Sequence, residues 1–136
     1  MLDIEIEAKI CELVKKSLED RQYAEEFTFK ITEKTISIAW KRHFIDLKGY
    51  RCSIHSDEIR HIENEHPNDI EHICKIHYYL NKFKNIDRTT TKEAQTGKKI
   101  PCFTFTKQLK DRKVKIVKLN LSMKKVLSLK TLYEVV

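Results

Sequence analysis

Apolar and polar residues alternate through most of residues 99–135, and alternation with a period of two commits a segment to half-buried β-structure. Three strands are predicted. The first, 99–107, alternates around Phe103 and Phe105; the second runs over 113–121. The third, 125–135, places Leu127, Leu129, Thr131, Tyr133 and Val135 on one face. Residues 108–112 turn the first pair. In the second strand the inward positions are even at Val114 and Ile116 but odd at Leu119 and Leu121, a parity change that needs one extra residue. A bulge is expected near Val117 and Lys118.

Upstream the period changes. Ile6, Ile10, Leu13, Val14 and Leu18 recur at helical spacing, so residues 3–20 read as an amphipathic helix. Phe27, Phe29 and Ile31 alternate with polar residues, as do Ile36, Ile38 and Trp40, which predicts a hairpin turning at 32–34. Residues 45–54 read as loop with one or two short strands. Ser56 and Asp57 open a helix that Pro67 ends, and Asn68 and Asp69 open a second one with its stripe from Ile70 to Phe83. Residues 84–99 are polar, carry a Thr89-Thr90-Thr91 run, and read as an exposed loop. The expected fold class is α+β: an N-terminal helix and hairpin, then two helices packed on a C-terminal antiparallel sheet. A chain of 136 residues suits a single compact domain.

Composition removes several functions. Gly49 and Gly97 are the only glycines, which excludes glycine-rich phosphate loops and dinucleotide fingerprints. Cys11, Cys52, Cys74 and Cys102 are scattered singly and read as reduced thiols. No apolar run reaches the roughly 20 residues of a membrane span, and no leader pattern opens the sequence, so a cytoplasmic protein without a membrane partner is expected.

Charge and histidine are both segregated. Residues 96–136 hold 11 Lys and Arg against 2 Asp and Glu, whereas the segments before them are nearly balanced. Excess positive charge of that kind attracts polyanions, though a solvated lysine-rich surface reads the same way. All six histidines, His43, His55, His61, His66, His72 and His77, fall between residues 43 and 77. Imidazole titrates near neutrality and serves as general base or acid, so histidines beside a lysine-rich segment make the inventory for cleaving RNA without a metal.

The run Asp57-Glu58-Ile59-Arg60-His61-Ile62, His66 beyond it, and the segment LSLKTLYEV near the C-terminus resemble the phage-associated branch of the barnase, EndoU, colicin and RelE-like nucleases. The resemblance covers about residues 45–136, a nuclease-like region, and leaves residues 1–44 as a helix-plus-hairpin extension. It implies a metal-independent, toxin-like ribonuclease with His61 and His66 as the helix histidines. It places Lys107 at the end of the first meander strand and Thr131 with Tyr133 on the last. Pro67 departs from the glycine that many relatives carry after the second histidine. The implied partners are RNA, tRNA included, and a cognate inhibitor or immunity protein; no cofactor and no metal are implied.

Nucleic-acid contacts are expected from Arg60, Lys113, Lys115, Lys118, Lys124, Lys125 and Lys130. Each site residue also has a structural reading. His66 continues the Ile59 and Ile62 stripe, and His61 lies about 140° from it around the helix, so the two share a pocket only if the helix end bends. Of the two, His61 is favoured. Tyr133 reads equally as a core aromatic, and His77 as a core histidine. His72, Cys74 and His77 do not converge as zinc ligands on one helix. The competing functions are a non-catalytic nucleic-acid-binding module using the basic sheet and an interaction or immunity protein.

Overall fold

The structure, a computed structural model, describes residues 2–92, 96–111, 113–121 and 124–135; for Thr91 and residues 113–121 it describes the backbone alone. The class is α+β, as expected. Helix α1 (Asp3–Glu19) buries Ile6, Ile10, Leu13, Val14 and Ser17 along one stripe. Asp3 and Glu5 in its first turn offset the positive end of the helix dipole. Strand β1 (Glu26–Lys30) follows and pairs antiparallel with β2 (Arg51–His55), setting Phe29 opposite Cys52.

The expected hairpin partner of β1 is instead a helix, α2 (Glu33–His43). Alternation of Ile36, Ile38 and Trp40 is real but is outweighed by a polar seam. The Thr32 hydroxyl accepts the Thr35 backbone N–H at 3.3 Å, capping the helix. Thr35 and Ala39, four residues apart, form the buried face, and the Thr35 hydroxyl donates to the Leu80 carbonyl at 2.7 Å. A hydrophobicity count does not register a helix whose inner face is threonine and alanine.

Helix α3 (Ser56–Glu65) starts directly from β2 and a 3₁₀ turn (Pro67–Asp69) follows it. The expected second helix is broken at Lys75 (φ −97°, ψ 2°) into α4 (Glu71–Cys74) and α5 (Ile76–Asn81). The expected loop over 84–99 is corrected too, since β3 (Asn85–Lys92) pairs along its whole length with β4 (Lys99–Gln108). The mostly polar side chains of β3 belong to an edge strand, where they discourage pairing with other chains. Strands β5 (Lys113–Leu121), β6 (Val126–Ser128) and β7 (Thr131–Val135) complete one sheet. Its order is β1-β2-β6-β5-β4-β3, with β7 also on β5.

All these pairings are antiparallel except β2 with β6. The expected meander is therefore joined to the β1–β2 pair by its own last strand. The register of β4 against β5 shifts between Phe103 and Thr104, whose partners are Leu119 and Val117, so Lys118 is the extra residue and the anticipated bulge is present. The last strand kinks alongside it, between β6 and β7. Inward positions pass from Leu127 and Leu129 to Leu132, which corrects the single face expected for residues 127–135. Phe29, Cys52 and Leu127 form one buried row across the sheet, and Ile86, Phe105 and Leu132 another.

The core under this sheet is one cluster to which residues 1–44 contribute Ile6, Ile10, Leu13, Val14, Phe29, Ile31 and Ala39, so that segment is integral rather than appended. Among the described residues no helix is long and apolar enough to cross a membrane.

Candidate active site at the seam of α3 and β7

Because β2 runs parallel to β6 and continues into α3, the helix travels alongside β7, whose ladder partner is β5. The 3₁₀ turn closes this seam, where the Glu134 backbone N–H donates to Asp69 Oδ2 at 3.2 Å. Ser56 anchors the start of α3, its hydroxyl accepting from Ser17 Oγ at 2.9 Å and from the Glu25 N–H at 3.1 Å. The cap itself is unusual, an imidazole: His55 Nδ1 accepts the Asp57 N–H at 3.1 Å.

His66 lies at the far end. It leaves helical geometry (φ −136°, ψ 62°) after Glu65, and that bend frees its ring from the Ile59 and Ile62 stripe. The imidazole stacks on the Tyr133 ring, with centroids 5.1 Å apart and planes at 21°. Two residues expected in the site, 67 positions apart, are thus brought together, and His66 rather than the favoured His61 makes the contact. Tyr133 is half-buried and off the Leu132 face, so the kink before β7 is what turns it and Thr131 out of the core.

His61 is exposed on α3, with Nε2 3.2 Å from Glu65 Oε2. Glu58, one turn before it, is half-buried, and burial pushes its carboxyl above the ordinary range against the opposing pull of Lys130 and His61. Lys130, at the kink, is thus near enough to Glu58 to act on its charge. The hydroxyl of Thr131 is buried and makes no hydrogen bond among the described residues. Glu58, His61, His66, Lys130, Thr131 and Tyr133 border the seam from its two sides.

Other expected site residues lie elsewhere. Lys107 pairs with Val114, which pairs with Glu134. Adjacent rows of a sheet alternate faces, so Lys107 projects on the side opposite Thr131 and Tyr133. Arg60 is spent internally: Nη1 donates to the carbonyls of Ser17 (3.1 Å) and Tyr23 (2.9 Å), and Nη2 to Asp57 at 2.8 Å. It ties α3 to the α1–β1 connection rather than facing a phosphate. The side chains of Lys113, Lys115 and Lys118 lie outside the described residues. Lys124 and Lys125 are exposed, and Lys125 adopts a left-handed φ of 58° while its carbonyl receives the Arg51 N–H.

Two further histidines are buried and hydrogen-bonded within the protein. His77 is buried, with Nε2 2.6 Å from Asp3 Oδ1 and the Phe29 ring edge-on at 5.3 Å. His72 is buried between Tyr79 Oη (2.7 Å from Nδ1) and Glu134 Oε1 (2.6 Å from Nε2). Cys74 turns to Cys11, and burial, reinforced by that neighbouring thiol, pushes its own thiol up to about 12. His72, Cys74 and His77 thus point three ways. One group could hold a divalent ion: Asp69, His72 and Glu134 offer ligand atoms within 4.8 Å of one another, although both nitrogens of His72 are already hydrogen-bonded.

Sequence reasoning missed Glu58, Asp69 and Glu134. Glu58 carried a signal, three residues before His61 on the same face of α3. No family model, curated protein or solved structure matches the chain.

Proposed function

We propose that the chain is a metal-independent ribonuclease acting at the α3–β7 seam. The observation that carries this reading is the stack of His66 on Tyr133, which joins an acid–base group to the last strand. In the proposed reaction the ribose 2′-oxygen attacks phosphorus while its proton passes to a base, Glu58 or His61. The bond from phosphorus to the 5′-oxygen breaks, and His66 protonates that oxygen. A carboxyl raised by burial is the stronger base when ionised, since its proton affinity is closer to that of the 2′-oxygen it deprotonates. Lys130 takes the role expected of Lys107, offsetting the added charge on the phosphorane, and the Thr131 hydroxyl, without a hydrogen-bond partner among the described residues, supplies a donor. A toxin of this kind would be held in check by an inhibitor or immunity protein covering the seam.

Total RNA or tRNA should be degraded in excess EDTA, leaving 2′,3′-cyclic phosphate and 5′-hydroxyl ends. His66→Ala should lower the rate about 10²- to 10⁴-fold with the fold intact. Loss of cleavage with chelator, or wild-type turnover by His66→Ala, would overturn the proposal. The excess of positive charge in the last third favours a second reading, a nucleic-acid-binding module without turnover. In that case His66→Ala leaves affinity and its salt dependence unchanged, and no cleavage is seen.

A further inference from the structure

The end of α2 carries two features that folding alone does not call for. Phe44 closes the helix in the left-handed conformation (φ 56°, ψ 34°), a position usually given to glycine and an outlier for a bulky side chain. Its ring is not repaid by burial, being 75% exposed, and Trp40 one turn earlier is 57% exposed. The two rings meet edge to face, with centroids 6.4 Å apart and planes at 81°. Backbone strain that holds an aromatic ring in solvent points to a ligand.

Charge identifies that ligand. Lys41 and Arg42 lie between the rings in sequence, are exposed, and form no ion pair among the described residues. Arg88 on β3 comes within 3.5 Å of the Phe44 carbonyl and is exposed as well. The acids nearest in sequence are turned to local bonds, Asp46 accepting the Lys48 N–H and Asp87 the Asn85 amide. Exposed aromatic faces among unpaired cations are what a single-stranded nucleic acid requires, rings for its bases and cations for its phosphates. A membrane surface is less well matched. Interfacial helices insert a broad apolar face, and the Thr35 and Ala39 face of α2 is already buried in the protein.

We propose that Trp40, Lys41, Arg42, Phe44 and Arg88 form a second RNA-binding site, which stacks unpaired bases away from the cleavage seam. The inference rests on the reading of the chain as RNA-directed. Arg88 lies on β3, three strand spacings from β7 through β4 and β5, or at least about 14 Å. The site therefore engages long substrates and leaves very short ones unaffected.

Trp40 is the only tryptophan, so it reports directly on its own site. A 2′-O-methyl oligouridylate of twelve nucleotides lacks the attacking hydroxyl and cannot be cleaved, which separates binding from catalysis. Titrating it into the full chain should quench Trp40 fluorescence. Phe44→Gly relieves the left-handed strain, so it should melt no lower than wild type, yet bind about 5- to 100-fold more weakly. Lys41→Glu with Arg42→Glu should lessen the dependence of log K on log salt by about 1.4 units. Wild-type affinity in both variants, or Trp40 responding to phosphatidylglycerol vesicles but not to the oligonucleotide, would overturn the site. Binding with no cleavage of ordinary RNA would keep this site and reject the nuclease. Cleavage of long RNA by Phe44→Gly with unchanged KM would do the reverse.

Discussion

Burial disfavours the charged form of the Glu58 carboxyl more than Lys130 and His61 favour it, which lifts it above the ordinary carboxylate range. The folded chain therefore binds this proton more tightly than the unfolded one. The resulting stability is complete below the ordinary carboxylate range and is lost as pH rises through the raised value. Glu58→Gln stays neutral throughout. Its melting temperature relative to wild type should climb as pH rises through and above the ordinary carboxylate range, while its cleavage rate falls; a difference independent of pH would show that burial does not raise this carboxyl. Thr131 offers a complementary experiment. Its hydroxyl is buried without a hydrogen-bond partner among the described residues, which costs roughly 1–3 kcal/mol. Thr131→Val should accordingly raise stability in urea unfolding by about 1 kcal/mol. If the hydroxyl meets a phosphate, the same variant loses turnover, a trade expected at a functional position.

At the scale of elements, the readable parts were those where a single apolar face does the packing. The stripe of α1, the alternation of β4 and the parity change that marks Lys118 all follow from that rule. The segments that misled are those whose inner face is polar or whose face changes. In α2 the buried Thr35 satisfies itself on Leu80, and in the last strand the kink before β7 exchanges faces. That exchange also explains the candidate site. Thr131 and Tyr133 were legible as a pair, but their removal from the core was not, and Lys107 was assigned to them although three paired strands set it on the opposite face. Contacts such as Asp69 with Glu134 join residues 65 apart and leave no local trace. The capping residue of α2 can be tested directly. The hydroxyl of Thr32 both caps Thr35 and donates to Asn81 Oδ1 at 2.5 Å. Thr32→Ala should therefore cost about 1–2 kcal/mol in chemical denaturation, and a loss below a few tenths would mean that α2 is held by packing alone.

For the whole molecule, the N-terminal 44 residues pair with the rest rather than decorate it. β1 covers one edge of β2, and α1 lies over the core that α3 and α4 share. Residues 45–136 expressed alone should lack a cooperative thermal transition, since Ile54, Ile59 and Ile73 would lose their cover. A sharp transition in that fragment would show a self-sufficient nuclease-like region. The sheet also has a seam in time. β1 with β2 and β3 with β4 and β5 are two separate ribbons, and the strand that stitches them comprises residues 126–128, which reach Arg51 and Cys52 across some 75 positions of chain. During synthesis the two ribbons cannot join into one sheet until that strand has left the ribosome. The same strand leads into Thr131 and Tyr133, so the candidate site needs it in place. On the ribonuclease reading proposed above, a chain still lacking that strand would carry no assembled seam and would leave RNA uncut.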